Sequence, residues 1–199
     1  MDNKSVNIAR AFLYDILALL FVEDSVINDQ ELLLVKLNQL AENPFDKEIG
    51  EVTQKLIDLI SEAETNNLYL EYERLFLIPF GKGVSLSASW YHEEREYGAM
   101  LLTVKSILAK TEIRKNEKLF NAPEDHFGFL FTLSSYLVTE QNNGNIKEDL
   151  QKELFKRVIH PHFEKLYSGL LASDTEIYSL VGVLMGDFLS MERAYLDIN

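Results

Sequence analysis

The chain contains no cysteine. That removes disulfides, thiolate zinc sites, iron–sulfur ligation and cysteine nucleophiles together. It also fits a reducing compartment. Proline is scarce, with four residues, and there are nine glycines, so collagen-like and low-complexity chains are excluded. No segment reaches the roughly 18 uncharged apolar residues that a membrane span requires. The apolar stretch near the N-terminus is interrupted by Asp15 and followed by no small-residue cleavage site. It reads as a helix and not as a signal peptide, and a cytoplasmic location is expected. Basic residues are in deficit: 19 Lys and Arg stand against 32 Asp and Glu, a formal net charge of -13. Non-specific nucleic-acid binding needs clustered cations to neutralise phosphates, so that partner class is disfavoured. A basic partner is favoured, because opposite fields speed encounter and exclude wrong partners.

What the chain does have is apolar residues at helical spacing. Hydrophobic residues make up 47% of 199, enough for one globular domain or two small halves sharing a core. Val6, Ala9, Phe12, Leu13, Ile16, Leu17 and Leu20 recur at three-and-four spacing and predict a first helix over 6–21. Asn28 with Glu31 resembles a capped start for a second helix to about Leu40. Further helices are predicted over 46–64, 68–77, 92–110, 123–140 and 146–159. Pro161 is expected to separate a short helix running to Leu171. Ser173 with Glu176 reads as a capping box opening a last helix over 175–194. No run of alternating β-branched residues occurs. The expectation is an all-α, bundle-like domain of eight or nine helices. It has an N-terminal half 1–110, a polar linker 111–121 acting as a hinge, and a C-terminal half 122–199. Such a linker would allow a monomer or a dimer that exchanges halves.

The chain is poor in catalytic signatures. His92-Glu93-Glu94-Arg95-Glu96 begins like a zinc-protease motif but has Glu where the second His belongs. No Glu-x-x-His occurs, which removes the usual di-iron bundle signature. His160-Pro161-His162 reads as a helix junction, since residues two apart diverge on a helix. Gly81-Lys82-Gly83 lacks the flanking residues of a phosphate-binding loop. The basic run Lys105–Lys118 reads as a solvated face. No catalytic residue, metal site or cofactor is expected.

Two punctuated stretches stand out. Leu70–Trp90 starts as a helix, stops at Pro79, and continues through Gly81, Gly83, Ser85, Ser87 and Ser89 while carrying Phe80, Val84, Leu86 and Trp90. Irregular backbone this rich in large apolar groups plugs a core or lines a groove. Pro123-Glu124-Asp125-His126 opens the second stretch. One reading is a helix start whose acids serve the dipole while His126 packs or caps. The other is a recognition point, with Asp125 at a groove rim meeting a cation and His126 beside it. A small helical enzyme using Asp125 and His126, or a generic helical adaptor, are the competing functions.

Together, Tyr72-Glu73-Arg74-Leu75-Phe76 running to Pro79, the loop to Ser89-Trp90-Tyr91, and Pro123-Glu124-Asp125-His126 resemble the TorD/DmsD/NarJ-like family of redox-enzyme maturation chaperones. The resemblance implies a non-catalytic, cytoplasmic chaperone. Its partners would be the twin-arginine leader and the apo form of a molybdenum- or tungsten-cofactor oxidoreductase, of formate dehydrogenase or DMSO/TMAO-reductase type. It implies a signal-peptide groove formed by Tyr72, Leu75, Phe76, Pro79 and Trp90, with Asp125 and His126 at the hinge.

Overall fold

The computed structural model describes residues 3–62, 67–78, 83–118 and 120–198. Among the described residues there is no strand, only one isolated antiparallel bridge, and the all-α expectation holds. Eleven α-helices follow one another: α1 (Asn3–Phe21), α2 (Glu23–Asn28), α3 (Gln30–Glu42), α4 (Lys47–Ser61), α5 (Asn67–Tyr72), α6 (Ala88–Glu93), α7 (Ala99–Leu108), α8 (Phe127–Asn142), α9 (Leu150–Leu154), α10 (His160–Leu171) and α11 (Ile177–Tyr195). Two π-helical turns are inserted, Glu73–Leu77 after α5 and Phe155–Ile159 between α9 and α10. No helix among the described residues is long and apolar enough to cross a membrane.

One core serves the whole described chain. Its axis is α1 against α8, the most extensive helix–helix contact in the molecule. The predicted stripe Leu13, Ile16, Leu17 and Leu20 is buried there together with Tyr14 and Phe21. Gly128 permits the closest approach: a Cβ at that position would lie 2.6 Å from the Phe21 carbonyl oxygen. Any side chain there would push α8 off the end of α1. The same end of α1 receives the Tyr178 hydroxyl on the Leu20 carbonyl at 2.7 Å and the Tyr72 hydroxyl on the Phe21 carbonyl at 3.4 Å. Deeper in, Arg10 pairs with Glu192, and Tyr14 and Gln151 donate to the same Glu192 carboxylate at 2.9 and 3.2 Å. This buried network ties α1, α9 and α11 with its charges paired, as burial of ions demands.

Several boundaries differ from expectation. Asn28 ends α2 and does not cap α3; its amide donates to Asp24. The predicted 92–110 helix is realised as α7, which starts only at Ala99; His92 and Glu93 instead end α6, which begins at Ala88 and carries Trp90 out of the loop. Pro161 does not break the chain. A regular helix would set its ring against the carbonyl of Arg157. The π-turn, in which the His160 N–H bonds the Phe155 carbonyl, widens the helix immediately ahead of the proline, and α10 continues. The predicted box at Ser173 and Glu176 does not form. Instead Glu71 of α5 reaches across and accepts from the Glu176, Ile177 and Tyr178 amides at 2.8, 2.9 and 3.1 Å. A carboxylate on three free amides at a helix start gains from charge-assisted bonds and from the dipole. The expected break at Asn66 falls outside the described residues.

Candidate functional site

The two punctuated stretches meet. After α5 the helix loosens into the Glu73–Leu77 π-turn, and Ile78 leaves it in an extended conformation. The chain returns so that the Val84 N–H donates to the Leu75 carbonyl at 3.0 Å. Leu86–Ala88 then runs antiparallel beside Asp125–Phe127. The Ala88 N–H donates to the Asp125 carbonyl at 3.0 Å, and the Phe127 N–H donates to the Leu86 carbonyl at 2.8 Å. Side chains reinforce the pairing. Asp125 Oδ2 accepts from the Ser87 hydroxyl at 3.1 Å and the Ser89 amide at 2.9 Å, while Ser87 Oγ accepts from the Trp90 amide. The serines of the first stretch thus seat α6, and with it Trp90, on the second.

Asp125 is fully buried and does not stand at a rim. Its carboxylate is engaged by Ser87 and Ser89, not by His126, so the Asp–His pair that an enzyme reading requires is absent among the described residues. The helix also starts later than expected, at Phe127. His126 is its N-cap, and Nδ1 accepts from the Gly128 amide at 3.1 Å. That bond needs a neutral ring with its proton on Nε2. Burial pushes the imidazole down to about 4, opposed by the nearby charge of Asp125. The Phe120 ring packs edge-on against it at 5.3 Å.

Between these elements lies a cleft of about 700 Å³. One part of its lining is Tyr72, Phe76, Leu77 and Ile78; another is Val84 to Ser87 with Trp90; a third is Phe120 to Pro123 with His126. Phe76 is half-buried on an aromatic cluster, edge-to-face with Tyr72 and Tyr178 at 4.9 Å each. Trp90, Leu77 and Ile78 are 45, 42 and 46% exposed, an unusual concentration of open apolar surface. Tyr72, Phe76, Trp90 and His126 therefore share one cavity. Leu75 does not line it: its side chain is buried behind the π-turn. Pro79 lies outside the described residues.

The acidic part of the lining was not foreseen. Val22, Glu23, Asp24 and Ile27, at the corner between α1 and α2, and Glu96, after α6, complete the cleft, with Lys118 as the one Lys or Arg of its lining among the described residues. The signal in the sequence was a Glu-Asp pair directly after an apolar helix, with Ile27 one turn on.

Among the described residues no group of three or more His, Cys, Asp or Glu could hold a metal. No curated protein matches the chain. The family described as nitrate reductase delta subunit matches residues 42–168, a span that includes both punctuated stretches and leaves out α1, α2 and α11. Its members are maturation chaperones that act with the subunits of molybdoenzymes and are not a catalytic family. The meeting of the two stretches around a single apolar cleft agrees with that match, and the chain belongs to the nitrate reductase delta subunit family of redox-enzyme maturation chaperones.

Proposed function

We propose that the cleft binds the twin-arginine leader of a molybdenum- or tungsten-cofactor oxidoreductase in the cytoplasm, and that the chaperone holds this client while its cofactor is inserted before export. The observation that carries the reading is the placement of Phe76, Trp90 and His126 on one cleft whose apolar side chains are half open to solvent. A twin-arginine leader is a basic pair followed by an apolar segment. Burying its apolar side chains yields about 1.5–3 kcal/mol each, and ordering the flexible leader offsets much of that. An exposed ion pair adds only about 0–1 kcal/mol. Affinity therefore rests on the apolar surface and orientation on the charges. In this arrangement Tyr72, Phe76, Trp90 and His126 touch the leader, with Pro79 following in sequence. Leu75 and Asp125 act from behind, by fixing the π-turn and α6.

Isothermal calorimetry with the leader peptide of a candidate client, of formate dehydrogenase or DMSO/TMAO-reductase type, tests this. Trp90→Ala and Phe76→Ala should each weaken binding by about tenfold or more, as loss of a buried aromatic anchor does. Equal affinity in the wild type and both variants would count against the cleft.

A further inference from the structure

Resting on the leader reading above, we infer that Tyr97 and Leu102 form an apolar ledge beside the cleft, and that this ledge receives the far part of the leader's apolar run. The need for such a surface comes from size. The cleft holds about 700 Å³, within the range that encloses a drug-sized molecule. A leader carries an apolar run of about 7–15 residues. Part of that run is left outside the cleft, and stays in water unless apolar surface continues beyond it.

Three observations point to the start of α7. First, Tyr97 and Leu102 are 68 and 70% exposed, the two most open large apolar side chains among the described residues. Gly98 is the N-cap of α7, so the pair occupies the position ahead of the cap and the fourth of the helix, whose side chains lie on one side of a helix start. In a hydrophobic staple such a pair covers itself; here both side chains stay open, and neither belongs to the core. Second, the ledge adjoins the cleft: Trp90 and Glu96 both line it, and Glu96 directly precedes Tyr97. Third, Tyr97 is held in a strained conformation. Its φ is 56°, a left-handed value that bulky side chains avoid. The neighbouring Gly98 has φ -96°, which any residue adopts, so the glycine does not serve that turn. Glu93 braces the connector: Oε1 accepts from the Ala99 amide at 2.6 Å and Oε2 from the Arg95 guanidinium at 3.2 Å. A strained aromatic, braced and left in solvent, is explained by a contact made outside the core. Two side chains are too few for a stable interface between copies, which buries about 800 Å² on each partner. They suit a narrow apolar segment already anchored next door, because a tethered second contact is intramolecular.

Trp90 is the single tryptophan of the chain and lies in the cleft, so its emission reports occupancy directly. The probes are two synthetic peptides with the same Arg-Arg head, one followed by about seven leucine and alanine residues and the other by about fourteen, near the two limits of leader runs. Wild type should bind the longer peptide about tenfold more tightly. The Tyr97→Gly/Leu102→Ser double variant should bind both alike, at the wild-type affinity for the shorter one, which also shows that the cleft is intact. Tyr97→Gly alone should keep or raise the denaturation midpoint, because glycine adopts the left-handed turn without strain. A lowered midpoint makes the ring a structural staple and overturns the inference. Equal affinities of wild type for the two peptides, or a length preference that survives in the double variant, also overturn it and leave the leader-binding cleft standing. A wild-type dimer that the double variant splits assigns the ledge to a second copy and overturns the inference too. No binding of either peptide to wild type overturns the leader reading and the inference with it.

Discussion

The same local distortion occurs twice among the described residues and serves opposite ends. In the Phe155–Ile159 turn, Phe155, Val158 and Ile159 are all buried, and the helix runs on into α10. In the Glu73–Leu77 turn only Leu75 is buried, the chain leaves the helix at Ile78, and Phe76 and Leu77 look onto the cleft. A wider turn enclosed by packing is a structural accommodation, here of Pro161. A wider turn with one face left open aims side chains at something else. What decides between them is the surroundings, not the turn itself.

The largest expected effect tests that contrast directly. Phe155→Ala should cost about 3–5 kcal/mol in chemical denaturation, the range for a large buried side chain replaced by a cavity. Leu77→Ala should stay within about 0.5 kcal/mol, as exposed substitutions do, while weakening peptide binding. Similar stability losses for the two would dissolve the distinction between a closed and an open turn.

Acid should strain both regions, each through its own histidine. His162, buried one turn past Phe155–Ile159 with neither ring nitrogen partnered, is pushed down to about 4 by burial, His92 and Lys165. His126 at the cleft is pushed down to about 4 by burial against the opposing charge of Asp125. Both values lie below the ordinary 6.5, so the unfolded chain binds more protons between those limits. Stability is then full above about pH 6.5 and falls as pH drops towards 4, by up to about 3 kcal/mol per histidine. Denaturation midpoints across that range should flatten in the His126→Asn/His162→Phe double variant, since Asn keeps a capping acceptor. An unchanged slope would mean that neither ring is held neutral by the fold. A smaller effect is expected at Glu71, which clamps the open turn's helix to α11. Glu71→Ala should cost about 1–2 kcal/mol, the scale of a lost cap, with Glu71→Gln in between.

Helix existence was legible where apolar residues recur at helical spacing, as in Leu13, Ile16, Leu17 and Leu20. Boundaries were less so, because they depend on partners distant in sequence. Ser173 and Glu176 carry the local pattern of a cap, yet Glu71 supplies it from α5. Pro161 signals a break, and the widened turn ahead of it, which leaves the proline in the first turn of α10, lets the chain continue. At the cleft, the meeting of the two stretches is legible from their punctuation, whereas Phe76, Trp90 and His126 are singled out only by the family resemblance. Of the two readings open for Asp125, the rim position fails, because its acidity is visible in sequence while the Ser87 and Ser89 partners that draw it inside are not. Glu23 and Asp24 are not legible as cleft residues, since a six-residue α2 is too short to show periodicity.

The pairing of α1 with α8 sets the timing of assembly on the ribosome. Phe21 emerges long before Asn142, by roughly ten seconds at ordinary synthesis rates. Throughout that interval Leu13, Ile16, Leu17 and Leu20 lack their main partner, and the nascent N-terminal segment is itself in need of shielding. A protein that guards an unfinished client thus begins its own existence with a comparable vulnerability.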